Sequence, residues 1–272
     1  MTLRGKMFGI GLLICCLPGG THTVAAAETM RIGGTGAATA MFPQLFAAFE
    51  RGKDAGLQIV PSLGTSGGLR ALNDGALDVA VSGRALTSEE RALGLTQRVA
   101  IRTPYVLITS HQKPNGVKRA EIAELFKSKA TWMDGSAIRI ILRPKSDSDS
   151  AVLSGMFPGM ADAMEQARKR PDIPVAATDQ DSADMAERIT SSLAGSTFTQ
   201  ILTEKRNLRF VAIDGTAPSM EALESGAYPY AKTLYFVLPA RQSALAGEFM
   251  TFLDSPAGHA ALRAVGNLPV AD

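Results

Sequence analysis

The chain has 272 residues, 46% hydrophobic and 20% charged, with 28 Lys and Arg against 26 Asp and Glu and a formal charge of +2. That suits one large globular domain or two lobes, each with its own core. The near-neutral balance argues against a nucleic-acid binder, which needs a basic footprint.

Residues 1–27 read as a secretory leader. Arg4 and Lys6 give a positive start, "MFGIGLLICCLPG" is apolar but too short to span a bilayer, and Ala25-Ala26-Ala27 offers cleavage after Ala27. A short membrane anchor is the competing reading. Cys15 and Cys16 both lie in this segment, and Ile14 ahead of Cys15 makes a poor lipoprotein signal. Cleavage leaves a cysteine-free periplasmic protein that is stable through its core alone. It also removes two basic residues, so 26 basic groups face 26 acidic ones. No later segment is long and apolar enough to cross a membrane.

Beyond the leader, strand-like and helix-like runs alternate. "MRIGG" (30–34) reads as a strand. "ATAMFPQLFAAFERG" reads as a helix with Thr39 as N-cap and Gly52 as stop. "LQIVPS" is a strand, "GGLRALNDG" a short helix and "LDVAVS" (77–82) a strand. "TSEERALG" is a helix whose Thr87 and Glu90 have capping-box spacing. "RVAIRTPYVLITS" (98–110) is strand-rich. In the middle, "KRAEIAELFKSK" is a helix, "AIRIILR" (137–143) a strand, and "SDSDSAVLSGMF" opens a helix. "PDIPVAATD" leads into a strand ending near Thr178. "SADMAERI" and "STFTQILTEK" are helices, "LRFVAID" (208–214) a strand and "SMEALESG" a helix. "AKTLYFVLP" (231–239) is a strand, and two amphipathic helices close the chain. The alternation predicts α/β lobes with mainly parallel sheets covered by helices. Crossings between lobes fall near 103–112 and 226–234. Residues 28–106 plus 231–272 then make one lobe, and 107–230 the other.

In such folds, ligands bind at strand exits, where loops meet helix starts. The first exit, "GGTGAAT", places Gly36, Ala37 and Thr39 at a tight turn. It loosely mimics a dinucleotide fingerprint, but the second strand ends without the acid that a ribose requires. No cofactor is expected. The second exit contains Gly64, Thr65, Ser66, Gly67 and Gly68, a G-x-S-x-G. As a nucleophile elbow it needs an acid and a histidine partner. Only His259 follows late enough, and it sits in a helical stretch. As an anion cradle it needs only the Thr65 or Ser66 hydroxyl and the N–H groups at 66–68. The third exit brings Ser82 and Arg84. In the second lobe, Arg143 ends a strand and Ser146, Ser148 and Ser150 follow. The arginine fork suits a tetrahedral oxyanion, while Asp147, Asp149 and the serines are also good N-caps. "TDQDSAD" (178–184) reads as mainly capping. No residues have metal-ligand spacing.

"GTSGGLRALNDGALDVAVSGRALTSEE", "IAELFKSKATWMDGSAIRIILRPKSDSDS" and "YPYAKTLYFVLP" together resemble the periplasmic phosphate-binding proteins of ABC transporters. The Trp132-to-Arg143 stretch is the most specific part. The resemblance implies a two-lobed periplasmic binding protein of type II, a Venus flytrap. It implies that Thr65, Ser66, Arg143 and the serines after it bind the oxyanion, with N–H groups near Gly36 and Ala37. It also implies a non-enzymatic monomer that hands phosphate or a similar oxyanion to an ABC permease in the inner membrane. Two departures stand out. Several relatives carry an aspartate in the third-strand loop, where this chain has Gly83 beside Arg84. The Ser-Gly-Thr loop of the family is "SDSDS" here, so Asp147 and Asp149 would repel an anion if they pointed inward. The alternatives are a ligand-sensing or scaffold protein of the same fold and, third, a serine hydrolase using Ser66.

Overall fold

A computed structural model describes Met1, residues 28–51 and residues 54–270. The leader after Met1 and the Gly52 stop fall outside those residues. Strand β1 (Glu28–Gly34) leads into helices α1 (Gly36–Thr39) and α2 (Phe42–Phe49). Then come β2 (Ala55–Val60), α3 (Gly64–Asn73), β3 (Val79–Ser82), α4 (Ser88–Ala92) and the long β4 (Thr96–Thr109). The middle of the chain forms α5 (Ile122–Lys127), β5 (Arg139–Ile140), α6 (Ser148–Met156), α7 (Met160–Ala167) and α8 (Asp179–Arg188). It continues through β6 (Ser192–Thr197), α9 (Phe198–Thr203), β7 (Arg209–Phe210) and α10 (Met220–Glu224). The chain returns along β8 (Ala231–Leu238) and ends with α11 (Ala244–Leu253), α12 (Pro256–Ala264) and β9 (Leu268–Pro269).

The sheet runs β2-β1-β3-β8-β4-β6-β5, with β7 and β9 added against β4. Pairing is parallel for β1 with β2 and β3, and for β5 with β6. It is antiparallel through β3–β8, β8–β4 and β4–β6. The sheet is therefore parallel at its ends and antiparallel across its centre. β4 exchanges partners midway: Thr96–Pro104 pair with β8, and Tyr105–Ile108 pair with β6. Pro104 has no N–H to donate, which suits the residue where one ladder ends.

Separate cores lie on the two sides of that exchange. Helix α2 buries Phe42, Leu45, Phe46 and Phe49, the i, i+3, i+4, i+7 stripe of an amphipathic helix, against Met30, Ile32, Phe236 and Phe249. Phe49 meets Phe249 edge-on at 5.3 Å between centroids. Burying one such ring contributes about 1.5–3 kcal/mol. The other core gathers Tyr105, Phe126, Trp132, Met160 and Tyr228.

Several elements differ from expectation. The run from Ala38 to Phe49 is two helices, because the chain turns at Ala40–Met41 and restarts with Pro43 in the first turn of α2. Thr39 therefore ends α1 instead of capping α2, and its Oγ1 donates to Thr35 O at 3.2 Å. "AIRIILR" and "PDIPVAATD" yield only β5 and two isolated bridges, Ala137 to Thr131 and Leu142 to Val175. "SLAGST" forms β6, which the sequence pattern did not mark, and Thr197 then caps α9 through the Gln200 N–H. The Thr87–Glu90 capping box is present on α4. Among the described residues no helix is long and apolar enough to cross a membrane.

Candidate functional site

The exits of β2 and β3, the β5–α6 loop and the start of α8 enclose a cleft of about 440 Å³. Surface hollows of about 520–600 Å³ elsewhere are more open, and none is lined by Arg143 or the starts of α3, α6 and α8.

Backbone packing places the first wall. A Cβ on Gly68 would lie 2.5 Å from Gly34 Cα, so two bare glycines let α3 lie directly on β1. This sets Thr65, Ser66 and Gly67 on the cleft. No side chain caps α3 and no acid sits in its first turn. The first N–H groups of a helix have no partner within it, so this end offers donors to an anion. Thr65 is buried, and its Oγ1 accepts the Gly83 N–H at 2.9 Å, tying α3 to the β3 exit.

The opposite wall centres on Arg143, which is only 7% exposed. Its Nη1 donates to Ala176 O at 2.9 Å and its Nη2 to Asp147 Oδ2 at 2.8 Å. Asp179 Oδ2 lies 3.8 Å from the same Nη2. The third nitrogen, Nε, is buried without a partner among the described residues. The backbone carbonyl of Arg143 is held by Ser150 Oγ at 3.1 Å and by Arg168 Nη1 at 2.8 Å. Asp147 caps α6 by accepting the Asp149 N–H at 2.8 Å.

Behind this wall is an ion pair that the sequence reading missed. Lys232 of β8, 1% exposed, pairs with Asp149, 2% exposed. Its Nζ also approaches Ser148 Oγ at 3.4 Å. Burial opposes the Lys232 charge, but the Asp149 and Asp179 carboxylates outweigh it and hold the ammonium above the ordinary lysine value. Burial likewise pushes Asp149 upward, and the Lys232 charge and hydrogen bond hold it below the usual carboxylate range. Asp179 shares a hydrogen bond with Asp149, and its nearest cation is Arg143 at 3.8 Å. Burial first, then the Asp149 charge, push it up to about 7.

Two glycines mark where the N-terminal and middle segments touch across the cleft. A Cβ on Gly83 would fall 2.7 Å from Ser148 Oγ and 2.9 Å from Lys232 Cε, so Lys232 fills the space that a side chain at 83 would need. A Cβ on Gly36 would fall 2.5 Å from Gln180 Oε1 and 2.7 Å from Asp179 Oδ2. Gln180 Nε2 donates to Gly36 O at 3.0 Å and Glu204 Oε1 at 2.8 Å, and Thr197 Oγ1 donates to Ala37 O at 3.0 Å.

Of the sequence-derived site residues, Gly36, Thr65, Ser66, Gly67, Arg84, Arg143, Ser146 and Ser148 line the cleft. The Arg84 guanidinium is engaged by Glu90 through two 2.8 Å bonds. Ala37, Thr39, Ser82 and Ser150 are not among the lining residues; Ser82 Oγ, for example, donates to Arg84 O at 2.5 Å. Thr178 does cap α8, with Asp181 completing a capping box. The same turn also brings Asp179 and Gln180 to the cleft, which the capping reading alone did not foresee. Among the described residues no histidine lines the cleft: His259 is exposed on α12, and His111 bonds Asp134 at 2.9 Å elsewhere. Among the described residues no cluster of His, Cys, Asp and Glu is arranged to hold a metal ion.

A family model described as a PBP superfamily domain matches residues 19–257. No curated protein matches the chain. Among solved structures, a Clostridium perfringens protein assigned as a phosphate ABC transporter substrate-binding protein, with bound phosphate, superposes with a TM-score of 0.71 at 16% identity, covering 90% of this chain and 100% of that one. A phosphate-binding protein from Stenotrophomonas maltophilia gives 0.62 at 17%, covering 91% of each. Reduced OxyR from N. meningitidis gives 0.59 at 11%, covering 91% and 100%. At these identities the likeness is one of fold: a two-lobed α/β architecture with helices flanking a mixed sheet.

Proposed function

The chain belongs to the PBP superfamily, and from that premise we propose that it is an exported solute-binding protein. It captures phosphate or a similar oxyanion between its lobes and delivers it to an ABC permease. The observation that carries this reading is Arg143. It is a buried guanidinium whose Nε–H has no partner among the described residues, on a cleft that also receives the uncapped start of α3. A buried N–H without an acceptor costs about 1–3 kcal/mol, and a ligand oxygen relieves that cost. The oxyanion accepts from Arg143 Nε, from the hydroxyls of Ser66, Ser146 and Ser148, and from the N–H groups at 65–67. Residues 28–106 plus 231–272 form one lobe and 107–230 the other. β4 and β8 are the crossings about which the lobes hinge. The mature chain starts at Glu28, which an intact mass of exported protein checks; a retained Cys15 or Cys16 contradicts it.

Calorimetry with inorganic phosphate tests the site. Hydrogen bonds to charged groups contribute about 1.5–3 kcal/mol, and 1.4 kcal/mol is a decade of affinity. Arg143→Ala therefore weakens binding at least about tenfold, and Arg143→Lys, which lacks the fork, does not restore it fully. Unchanged affinity in a folded Arg143→Ala removes the site assignment.

A further inference from the structure

Among the described residues, four residues other than glycine have a positive φ: Ser62, Ser191, Lys205 and Asp214. Such a backbone is costly for a residue with a Cβ and persists where the surroundings or a function require it. Three of the four have a local role. Ser191 Oγ donates to Ser136 Oγ at 3.2 Å, and its carbonyl accepts the Arg139 N–H at 3.0 Å. Lys205 closes the end of α9, its N–H donating to Leu202 O at 3.3 Å. Asp214 Oδ1 accepts the Arg119 N–H at 3.0 Å. Ser62, at φ 61°, lines the cleft, and neither its hydroxyl nor its N–H bonds another described residue. Glycine would be free of the backbone cost, and the same passage already uses it at 64, 67 and 68.

We infer that Ser62 is a further contact to the captured anion, its hydroxyl donating to a ligand oxygen beside the α3 start. This rests on the proposed oxyanion function and extends its site onto the exit of β2. The backbone there is shaped for an anion. φ is 61° at Ser62, −79° at Leu63 and 64° at Gly64, and such alternation of hand turns successive N–H groups into one concave nest. The Leu63 N–H, like that of Ser62, has no partner among the described residues. An independent sign of a ligand comes from the facing wall of the same cleft, where Arg143 is 7% exposed and its Nε is buried without a partner. Serine at 62 keeps the hydroxyl that glycine would give up, and hydrogen bonds to a charged acceptor are the strong ones.

The probe is inorganic phosphate, titrated calorimetrically into the mature wild type, Ser62→Ala and Ser62→Gly, with the thermal midpoint of each unliganded protein measured alongside. Both variants lack the hydroxyl, and each is expected to bind about tenfold more weakly, the loss of one hydrogen bond to a charged group. Ser62→Gly is also expected to raise the midpoint, because glycine takes a positive φ without a Cβ penalty. Weaker binding in a more stable protein is a combination that a purely structural role for Ser62 does not give. Wild-type affinity in either variant overturns the inference and leaves the Arg143 site standing. A lowered midpoint together with weaker binding in Ser62→Gly overturns it as well, since Ser62 then supports the fold. If the wild type itself does not bind phosphate, both the inference and the proposed function fall.

Discussion

Replacing Gly36 with alanine puts a methyl group where the two sides of the cleft meet. Nothing local forbids it, since Gly36 opens α1 without a positive φ and alanine is favoured over glycine in a helix by about 0.8–1 kcal/mol. The obstacle lies wholly across the cleft. The new Cβ would stand 2.5 Å from Gln180 Oε1, 2.7 Å from Asp179 Oδ2 and 3.0 Å from Asp179 Cβ. Gln180 cannot simply swing aside without giving up its bonds to Gly36 O and Glu204. Overpacking of this kind costs about 1–3 kcal/mol, and only the closed arrangement bears it. Affinity for the captured anion should therefore fall roughly fivefold to a hundredfold, since 1.4 kcal/mol is a decade. Small-angle scattering should show a larger radius of gyration than wild type at saturating ligand. Gly155→Ala, at a site on α6 with no atom within 4 Å of the new Cβ, serves as the control and leaves both readings unchanged. Wild-type affinity and compaction in Gly36→Ala would refute the reasoning that Gln180 and Asp179 close onto α1.

Two further outcomes follow from the buried charges. Lys232→Met strands Asp149 without its partner and should lower stability by about 3–5 kcal/mol, whereas Lys232→Met with Asp149→Leu recovers most of it; urea unfolding that shows no recovery contradicts this. Asp179 is raised to about 7, so between the ordinary carboxylate value and 7 the folded state holds more protons than the unfolded one, and stability falls as pH rises through that window. The stability gap in favour of Asp179→Asn should therefore widen between pH 5 and pH 8, and parallel pH profiles for the two proteins would show that Asp179 does not titrate there.

Elements with strong local signals were legible in the sequence. The Thr87–Glu90 capping box, the amphipathic stripe of α2 and the strand-to-glycine-turn-to-helix passage at 61–72 each state their structure in a few residues. β6 was not legible, because "SLAGST" has small polar residues where a strand pattern needs alternation, and its pairing with β4 decides the matter. The site was legible where a residue type announces itself at a strand exit, as Arg143 and Ser66 do. Asp179 was hidden because the Thr178 cap explains the same turn, and only tertiary packing shows that its first residues face a cleft as well. Lys232 carried a signal that was passed over: a lysine inside the apolar run of β8 is buried only when something neutralises it. Gly83 reads as a missing aspartate in the sequence, while the structure shows a place already filled by Lys232 and Ser148.

The central claim is that the anion sits on Arg143 and the α3 start. Titration of isotope-labelled protein with inorganic phosphate, followed by nitrogen–proton correlation spectra, reads both groups at once. Saturable shifts are expected for the Arg143 Nε–H signal and for the Thr65, Ser66 and Gly67 amides. Saturable shifts confined to other surfaces, such as the hollow around His111 and Asp134, with Arg143 Nε–H unmoved, would contradict it.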